Sequence, residues 1–146
     1  MSLSPLSSET VHCSSVAIGG RCVLIGGRSG SGKSDLALRL IDRGASLVSD
    51  DYTHVRRVEG KAIATAPATI AGKIEVRGVG IAEMSSVPDV PVALFIDLDR
   101  TPERLPDLEE RRVVAGVPIP TIGLEGHNAS APIRVETALR LIGLAD

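Results

Sequence analysis

The residues best suited to chemistry lie in one glycine-rich stretch, Gly27-Arg28-Ser29-Gly30-Ser31-Gly32-Lys33-Ser34. The stretch fits the pattern G-x-x-x-x-G-K-[ST]. Its glycines let backbone N–H groups converge on an anion, because no Cβ stands in the way. The positively charged side chain of Lys33 can bind the β and γ phosphates of ATP, and the Ser34 hydroxyl can ligate Mg²⁺. The stretch therefore predicts a phosphate-binding loop.

The elements on either side are those that such a loop needs. Apolar residues at 22–25 predict a buried strand before it, and the leucine spacing at 35–43 predicts an amphipathic helix after it. That helix would begin near Lys33 and turn its positive end toward the phosphates. This context makes a chance match in a Gly/Ser-rich turn the weaker interpretation.

Two adjacent carboxylates, Asp50 and Asp51, follow a predicted strand at 45–48. They return to the phosphates if that strand lies beside the strand before the loop. Since side chains alternate along an extended segment, the two cannot easily serve one atom. One could reach a metal ion while the other accepts the proton of a substrate hydroxyl. A solvated turn is the alternative, because Asp is common in turns.

Other candidates are less specific. Glu75 and Arg77 share one face of a predicted strand, where an acid could hold Mg²⁺ and a base could hold phosphate, but a salt bridge would use the same pair. Asp97 ends the most apolar strand candidate and resembles a Walker B acid, ranking just below Asp51 for the metal. His12, in a predicted strand, and Arg104, in a charged segment, indicate little alone.

Composition restricts the partners. The 146 residues, 43% of them hydrophobic, suit a single domain at 9–146 after a flexible tail at 1–8. Only Tyr52 and Phe95 are aromatic, and the net charge of −2 is spread along the chain, so neither nucleic acid nor a membrane surface is expected as a partner. The N-terminus does not resemble a signal peptide, and no segment approaches a membrane span. A cytoplasmic protein with free thiols at Cys13 and Cys22 is predicted.

The predicted fold is a strand-rich α/β domain with one helix after the loop and one near the C-terminus, from Pro132 to about Ile142. The predicted strands are 9–18, 21–25, 45–48, 53–58, 62–65, 70–76, 90–97 and 117–124. The strand at 90–97 should lie in the middle of a sheet, because it is almost entirely apolar. A doubly wound nucleotide kinase would need more alternation of strand and helix.

Together these residues resemble the catalytic domain of the HPr kinase/phosphorylase family, bacterial enzymes that phosphorylate and dephosphorylate a serine of the phosphocarrier HPr. The similarity begins at Val11-His12 and includes the phosphate loop and Leu47-Val48-Ser49-Asp50-Asp51. Its most specific part is Ile74-Glu75-Val76-Arg77-Gly78-Val79-Gly80-Ile81. The turn Gly126-His127-Asn128 also resembles the family, although the family usually has arginine where His127 stands.

The resemblance implies roles by position. The catalytic residues would be His12, Lys33, Asp50, Asp51 and Arg104. Asp51 would be the base in the kinase direction and the acid in reverse, and Arg104 would place its charge on the transferred phosphoryl group. The Mg²⁺ ligands would be Ser34, Asp51 and Glu75, and the ATP-binding residues would be the loop residues from Gly27 to Ser34 with Arg77.

The resemblance also implies a fold similar to phosphoenolpyruvate carboxykinase, an HPr-type phosphocarrier as protein substrate and a homo-oligomer, usually a hexamer. It suggests a short form without the family's N-terminal domain. Two other functions stay open. A small-molecule kinase of the shikimate-kinase type would show a D-x-D spacing and an arginine-rich lid. A module that senses ATP without turnover would need no base such as Asp51.

Overall fold

The computed structural model describes residues 7–145. Its elements are β1 (Ser8–Val11), β2 (Cys13–Ile18), β3 (Arg21–Gly26), α1 (Lys33–Asp42), β4 (Ser46–Ser49), β5 (Thr53–Val58), β6 (Lys61–Thr65), β7 (Lys73–Val76), β8 (Gly80–Glu83), β9 (Val90–Asp97), β10 (Arg111–Val114), β11 (Val117–Gly123) and α2 (Ala131–Ile142). Most of the predicted tail, residues 1–6, lies outside the described residues, and Ser8 already begins β1.

A nine-stranded sheet forms the framework, with the order β1-β5-β6-β9-β3-β2-β4 and with β11 and β10 continuing from β9. Strand β9 is central, because it pairs parallel with β3 and β11 and antiparallel with β6. Seven of its eight residues are buried, as expected of a strand covered on both faces. The prediction of a central strand at 90–97 is confirmed.

Alternation along the central strands separates two apolar clusters. On β3, Val23 and Ile25 face the cluster beneath the helices, whereas Cys22 and Leu24 face the opposite cluster. Both helices bury an apolar stripe against the first cluster. The second cluster lies on the other face of the sheet, where strands that include β5, β6 and β11 curl around it. Neither described helix is long and apolar enough to cross a membrane.

Three parallel strands deliver three connecting segments to one edge of the sheet. The glycine-rich loop leaves β3, residues 97–99 leave β9, and the turn at 125–128 follows β11. Backbone hydrogen bonds hold these exits together, from Leu98 N to Gly26 O (2.8 Å) and from Leu124 N to Asp97 O (3.2 Å). Because carboxyl ends of parallel strands meet at one edge, this edge collects the candidate site.

Several elements differ from the sequence predictions. The predicted strand at 9–18 is broken at His12, because the chain changes partners there, from β5 before the break to β3 and β4 after it. Strand β4 pairs with β2 and is not adjacent to β3. Strand β8 was not predicted. A bond from Val79 N to Val76 O (2.9 Å) closes its turn, and Gly78 supplies the positive φ of 81° that a type II turn requires.

Candidate active site

The start of α1 exposes the backbone donors that an anion needs. Gly32 is the N-cap, with φ 99°, so no capping side chain competes for the first N–H groups of the helix. A Cβ at Gly32 would also lie 3.1 Å from Cε1 of His127. Conformation and space both favour glycine here, and the open helix N-terminus can accept an anion such as phosphate.

Lys33 is buried inside the loop. Its side chain, with 6% of the residue exposed, donates hydrogen bonds from Nζ to Gly27 O (2.7 Å) and to Arg28 O (3.2 Å). The side chain of Lys33, the first residue of α1, therefore folds back over the loop that precedes the helix. The ammonium group lies where it can bind an anion held by the loop amides.

Asp50 is a buried carboxylate that ties three elements together. Its Oδ1 accepts hydrogen bonds from Ser34 Oγ (2.5 Å) and Ser14 Oγ (2.9 Å), and its Oδ2 accepts one from Glu75 N (2.9 Å). These donors belong to α1, β2 and β7, respectively. Asp50 therefore fixes the loop hydroxyl relative to the β7–β8 hairpin.

Asp51 points away from Asp50 because the backbone turns sharply between them. A hydrogen bond from Tyr52 N to Asp50 O (2.7 Å) closes a three-residue turn, and Asp51 at its centre has φ 67°. This is the rarer γ-turn form with positive φ, and such backbone strain is concentrated at functional sites. Ser14 Oγ accepts a bond from Asp51 N (3.1 Å) and so supports the turn. The two carboxylates are thereby given separate surroundings.

Asp51 and His12 form a pair at the mouth of the site. His12 Nε2 lies 2.9 Å from Asp51 Oδ1, and both side chains are about half exposed, at 42% and 53%. The His12 ring stacks on Tyr52, with 4.9 Å between the ring centroids. A carboxylate oriented by a histidine and open to solvent can accept a proton from an incoming hydroxyl.

One cavity of about 640 Å³ collects most of the predicted site. It is lined by Ser29, Gly30, Gly32, Lys33, Ser34, Asp35, Leu38, Asp50, Asp51, Glu75, Val76, Arg77 and His127. Gly27 and Arg28 line a second cavity of about 520 Å³, together with His12. The larger cavity falls within the usual size range of ligand pockets.

The donors in this cavity fit Mg²⁺ bound with a nucleotide. Ser34 and Asp50 are in direct contact, and Glu75 lines the same cavity, so oxygen ligands of the kind that Mg²⁺ prefers are close together. Within residues 7–145, no three His, Cys, Asp or Glu side chains converge as a metal cluster. Mg²⁺ usually takes one or two carboxylates and completes its shell with phosphate and water, which agrees with this arrangement.

The structure distinguishes between the aspartates that the sequence left as alternative metal ligands. Asp50, and not Asp51, contacts the loop hydroxyl of Ser34. Asp97 accepts bonds from Arg112 Nη2 and from Asp99 N, both 2.9 Å, so its carboxylate holds the loop that follows β9. The side chain of Asp97 therefore has neighbours other than those expected of a metal ligand.

Arg104 is not brought into this group. It is exposed in the irregular segment between β9 and β10, and it lines neither of the two cavities beside the loop. Arg77 does line the larger cavity, beside Glu75. Of the three predicted arginines, Arg28 and Arg77 therefore lie beside the loop cavities and Arg104 does not.

Three contributors were missed by sequence reasoning. Ser14 is a polar residue in a buried strand, and that contrast was a usable signal. Tyr52 follows Asp51 directly and is one of only two aromatic residues. Asp99, whose carboxylate accepts bonds from Arg28 N at 3.1 Å, gave no signal, because contact with the loop depends on the pairing of β9 with β3.

Comparison with known proteins identifies the family. Residues 4–140 match the family model of the HPr serine kinase C-terminal domain. The chain belongs to this family. The HPr kinase/phosphorylase of Clostridium tetani is 37% identical over 91% of this chain and 49% of its own length. The corresponding protein of Limosilactobacillus reuteri is 33% identical over 92% of this chain and 44% of its own length.

A solved structure agrees with the sequence relatives. The Hpr(Ser) kinase/phosphatase from Coxiella burnetii superimposes with a TM-score of 0.78 at 28% identity, covering 90% of this chain and 94% of that chain. The expected strand-rich α/β fold of the HPr kinase catalytic domain is therefore confirmed. The chain spans about half the length of the curated relatives described above.

Proposed function

We propose that this chain is an ATP- and Mg²⁺-dependent protein serine kinase that acts on HPr or a related phosphocarrier. The proposal rests on the observation that two adjacent carboxylates have different contacts. Asp50 contacts the loop hydroxyl of Ser34, whereas Asp51, which lines the same cavity, contacts the half-exposed His12. The names of the relatives supply the acceptor, since the related kinases carry HPr in their names.

The loop, the α1 N-terminus and Lys33 would bind the β and γ phosphates of ATP. Ser34, Asp50 and Glu75 would hold Mg²⁺, with Asp51 a further candidate ligand at the edge of the cavity. When bound, Mg²⁺ would neutralise charge that develops on the phosphate oxygens. Arg77, which lines the same cavity, would add a positive charge.

Asp51 would act as the base. The acceptor serine oxygen forms a bond to the γ-phosphorus, the bond to the bridging oxygen of ADP breaks, and the serine proton passes to the Asp51 carboxylate. His12 would orient that carboxylate, because its Nε2 already lies 2.9 Å from Asp51 Oδ1. In a phosphate-driven reverse reaction, an oxygen of inorganic phosphate would bond to the phosphorus of phosphoserine and form pyrophosphate. The bond to the serine oxygen would break, and protonated Asp51 would return the proton to that oxygen.

The remaining parts of the proposal follow from the family resemblance. Arg104 would stabilise the transferred phosphoryl group, which requires the segment at 98–110 to approach the cavity during turnover. The enzyme would act in the cytoplasm as a homo-oligomer. Light scattering in solution measures its mass, and a monomer at working concentrations would contradict the expected assembly.

The decisive test is transfer from γ-labelled ATP to purified HPr-type phosphocarriers, read by intact mass. One phosphate on the wild-type carrier, and none on a carrier with its target serine changed to alanine, would establish the kinase. Asp51→Asn should abolish transfer while ATP binding persists, because the base is lost but the loop is intact. Absence of transfer to any carrier, with ATP bound, would favour a small-molecule acceptor or a sensing role.

A further inference from the structure

The start of α1 separates two sides of the phosphate site. Gly32 is the N-cap and Ser34 lies in the first turn of the helix, and the two residues have different neighbours. Ser34 contacts Asp50, and Gly32 lies against the ring of His127. A phosphate at this helix N-terminus therefore lies between the aspartates on one side and His127 on the other.

His127 is carried by a turn that is tightly fixed to the loop and to α1. A Cβ at Gly126 would lie only 2.8 Å from Ser31 O, so the backbone of the turn packs directly against the loop. Arg39 donates hydrogen bonds to Asn128 O (3.0 Å) and to Gly126 O, and it forms an ion pair with Asp35. The imidazole thus has a defined place at the cavity wall, while its residue is exposed to the cavity.

We propose that the base of the bound nucleotide packs against the imidazole of His127. The inference rests on the proposed function, because it takes a nucleoside triphosphate as the phosphoryl donor. The transferable phosphate must face Asp51 and His12, where the acceptor enters. The nucleoside must then leave the phosphates toward His127, which lines the same cavity as Ser29 and Gly30.

His127 is also the residue chemically suited to that contact. Among the residues that line the larger cavity, it has the only ring. Planar side chains stack on bases of any sequence, and loss of one stacking partner weakens binding roughly 10-fold or more. The contact is a binding and positioning role, since His127 would touch the nucleoside and not the reacting atoms.

The test compares two ligands that share phosphates but differ in the nucleoside. Calorimetry with Mg²⁺ would measure the affinity of ATP and of inorganic tripolyphosphate for the wild type, His127→Ala and His127→Phe. His127→Ala should weaken ATP about 10-fold and leave tripolyphosphate unchanged, whereas His127→Phe, which keeps a ring, should retain ATP. His54→Ala is the matched control, because His54 lies on β5 and lines neither cavity beside the loop.

NMR of the histidine side chains gives a second measurement, which would not change if His127 had only a structural role. The chain has three histidines, so the imidazole Cε1–H signals are few, and the one missing from His127→Ala identifies His127. That signal should shift with ATP through the ring current of the base and stay in place with tripolyphosphate.

Two results would overturn the inference alone, and a third would overturn the proposed function as well. ATP affinity that is unchanged in His127→Ala would show that the base lies elsewhere, and equal losses for ATP and tripolyphosphate would place the imidazole on a phosphate. Binding of neither ligand by the wild type would instead overturn the proposed function on which the inference rests.

Discussion

At the scale of single residues, Ser14 contacts both aspartates of the candidate site, which the sequence did not predict. Its hydroxyl donates to Asp50 Oδ1 and accepts from Asp51 N, so one side chain positions both carboxylates. Ser14→Ala should lower the free energy of unfolding by about 1–3 kcal/mol, because a buried acceptor and a backbone donor lose their partner. It should also lower kcat for phosphoryl transfer, since the γ-turn at Asp51 loses its support. Urea unfolding and steady-state kinetics measure the two effects.

Ser15→Ala is the matched control. Ser15 is equally buried, but its hydroxyl faces the other side of β2 and bonds Thr53 Oγ1 at 2.8 Å. A comparable loss of stability with kcat preserved is expected for this variant. If both variants lowered kcat equally, the effect of Ser14 would be general destabilisation and not positioning of the carboxylates.

Residue types alone were enough to predict the loop and the paired aspartates. Glycine, lysine and serine at fixed spacing have few structural uses besides phosphate binding. The partners of Asp50 and Asp51 were beyond reach, because Ser14 is 36 residues from Asp50 and meets it only through the pairing of β2 with β4. The γ-turn at Asp51, which separates the two side chains, also has no glycine or proline to announce it.

At the scale of elements, strand β7 is held to the core by one fully buried side chain. Ile74 is 0% exposed within the cluster beneath the helices, and its neighbour Glu75 donates its backbone N–H to Asp50. Ile74→Ala should destabilise the fold by about 2–5 kcal/mol, and Ile74→Val by about 0.5–1.5 kcal/mol. Mg²⁺-dependent ATP affinity should fall in the alanine variant under conditions where it stays folded.

Calorimetry of ATP binding with and without Mg²⁺ separates the two contributions. The valine variant serves as the control, since it keeps β7 in place with a smaller cavity. A folded Ile74→Ala protein with unchanged Mg²⁺ dependence would show that β7 does not contribute to the metal site.

The segment at 98–110 offers a second test at this scale. Arg104 is exposed there and lines neither cavity beside the loop, so Arg104→Ala should leave the Kd for ATP unchanged. If the segment closes during turnover, the same variant should lower kcat roughly 10³-fold, as loss of an arginine that stabilises the transferred phosphoryl group does. Arg57→Ala, at an exposed position on β5, controls for loss of surface charge. Wild-type kcat in Arg104→Ala would remove Arg104 from the mechanism.

Element types were more predictable than element neighbours. The apolar run at 90–97 indicated a central strand because burial on both faces leaves a continuous signature. The position of β4 beside β2 carries no such signature, since an edge strand and an inner strand of four residues look alike. Strand β8 was not predicted because glycine is uncommon in strands, and the structure places Gly78 in the hairpin turn and Gly80 at the start of the strand.

At the scale of the whole molecule, the two faces of the sheet carry the apolar clusters and one edge carries the candidate site. The helices cover one cluster, the curled strands enclose the other, and the three parallel strands β3, β9 and β11 present the candidate site at their shared edge. Both cysteines lie in the cluster enclosed by strands, away from the helices. Their titration therefore reports on the integrity of the enclosed cluster.

Burial raises the pKa of the Cys13 thiol to about 12 and raises the pKa of Cys22 as well. Above pH 9 the unfolded chain releases these protons and the folded chain retains them, so the free energy of unfolding should fall as pH rises toward 12. The fall should approach about 1.4 kcal/mol per pH unit for each thiol. Urea unfolding at pH 8, 9 and 10 should show a shallower slope for Cys22→Ala than for the wild type. The two proteins differ only at residue 22, so equal slopes would contradict protonated, buried thiols in the native state.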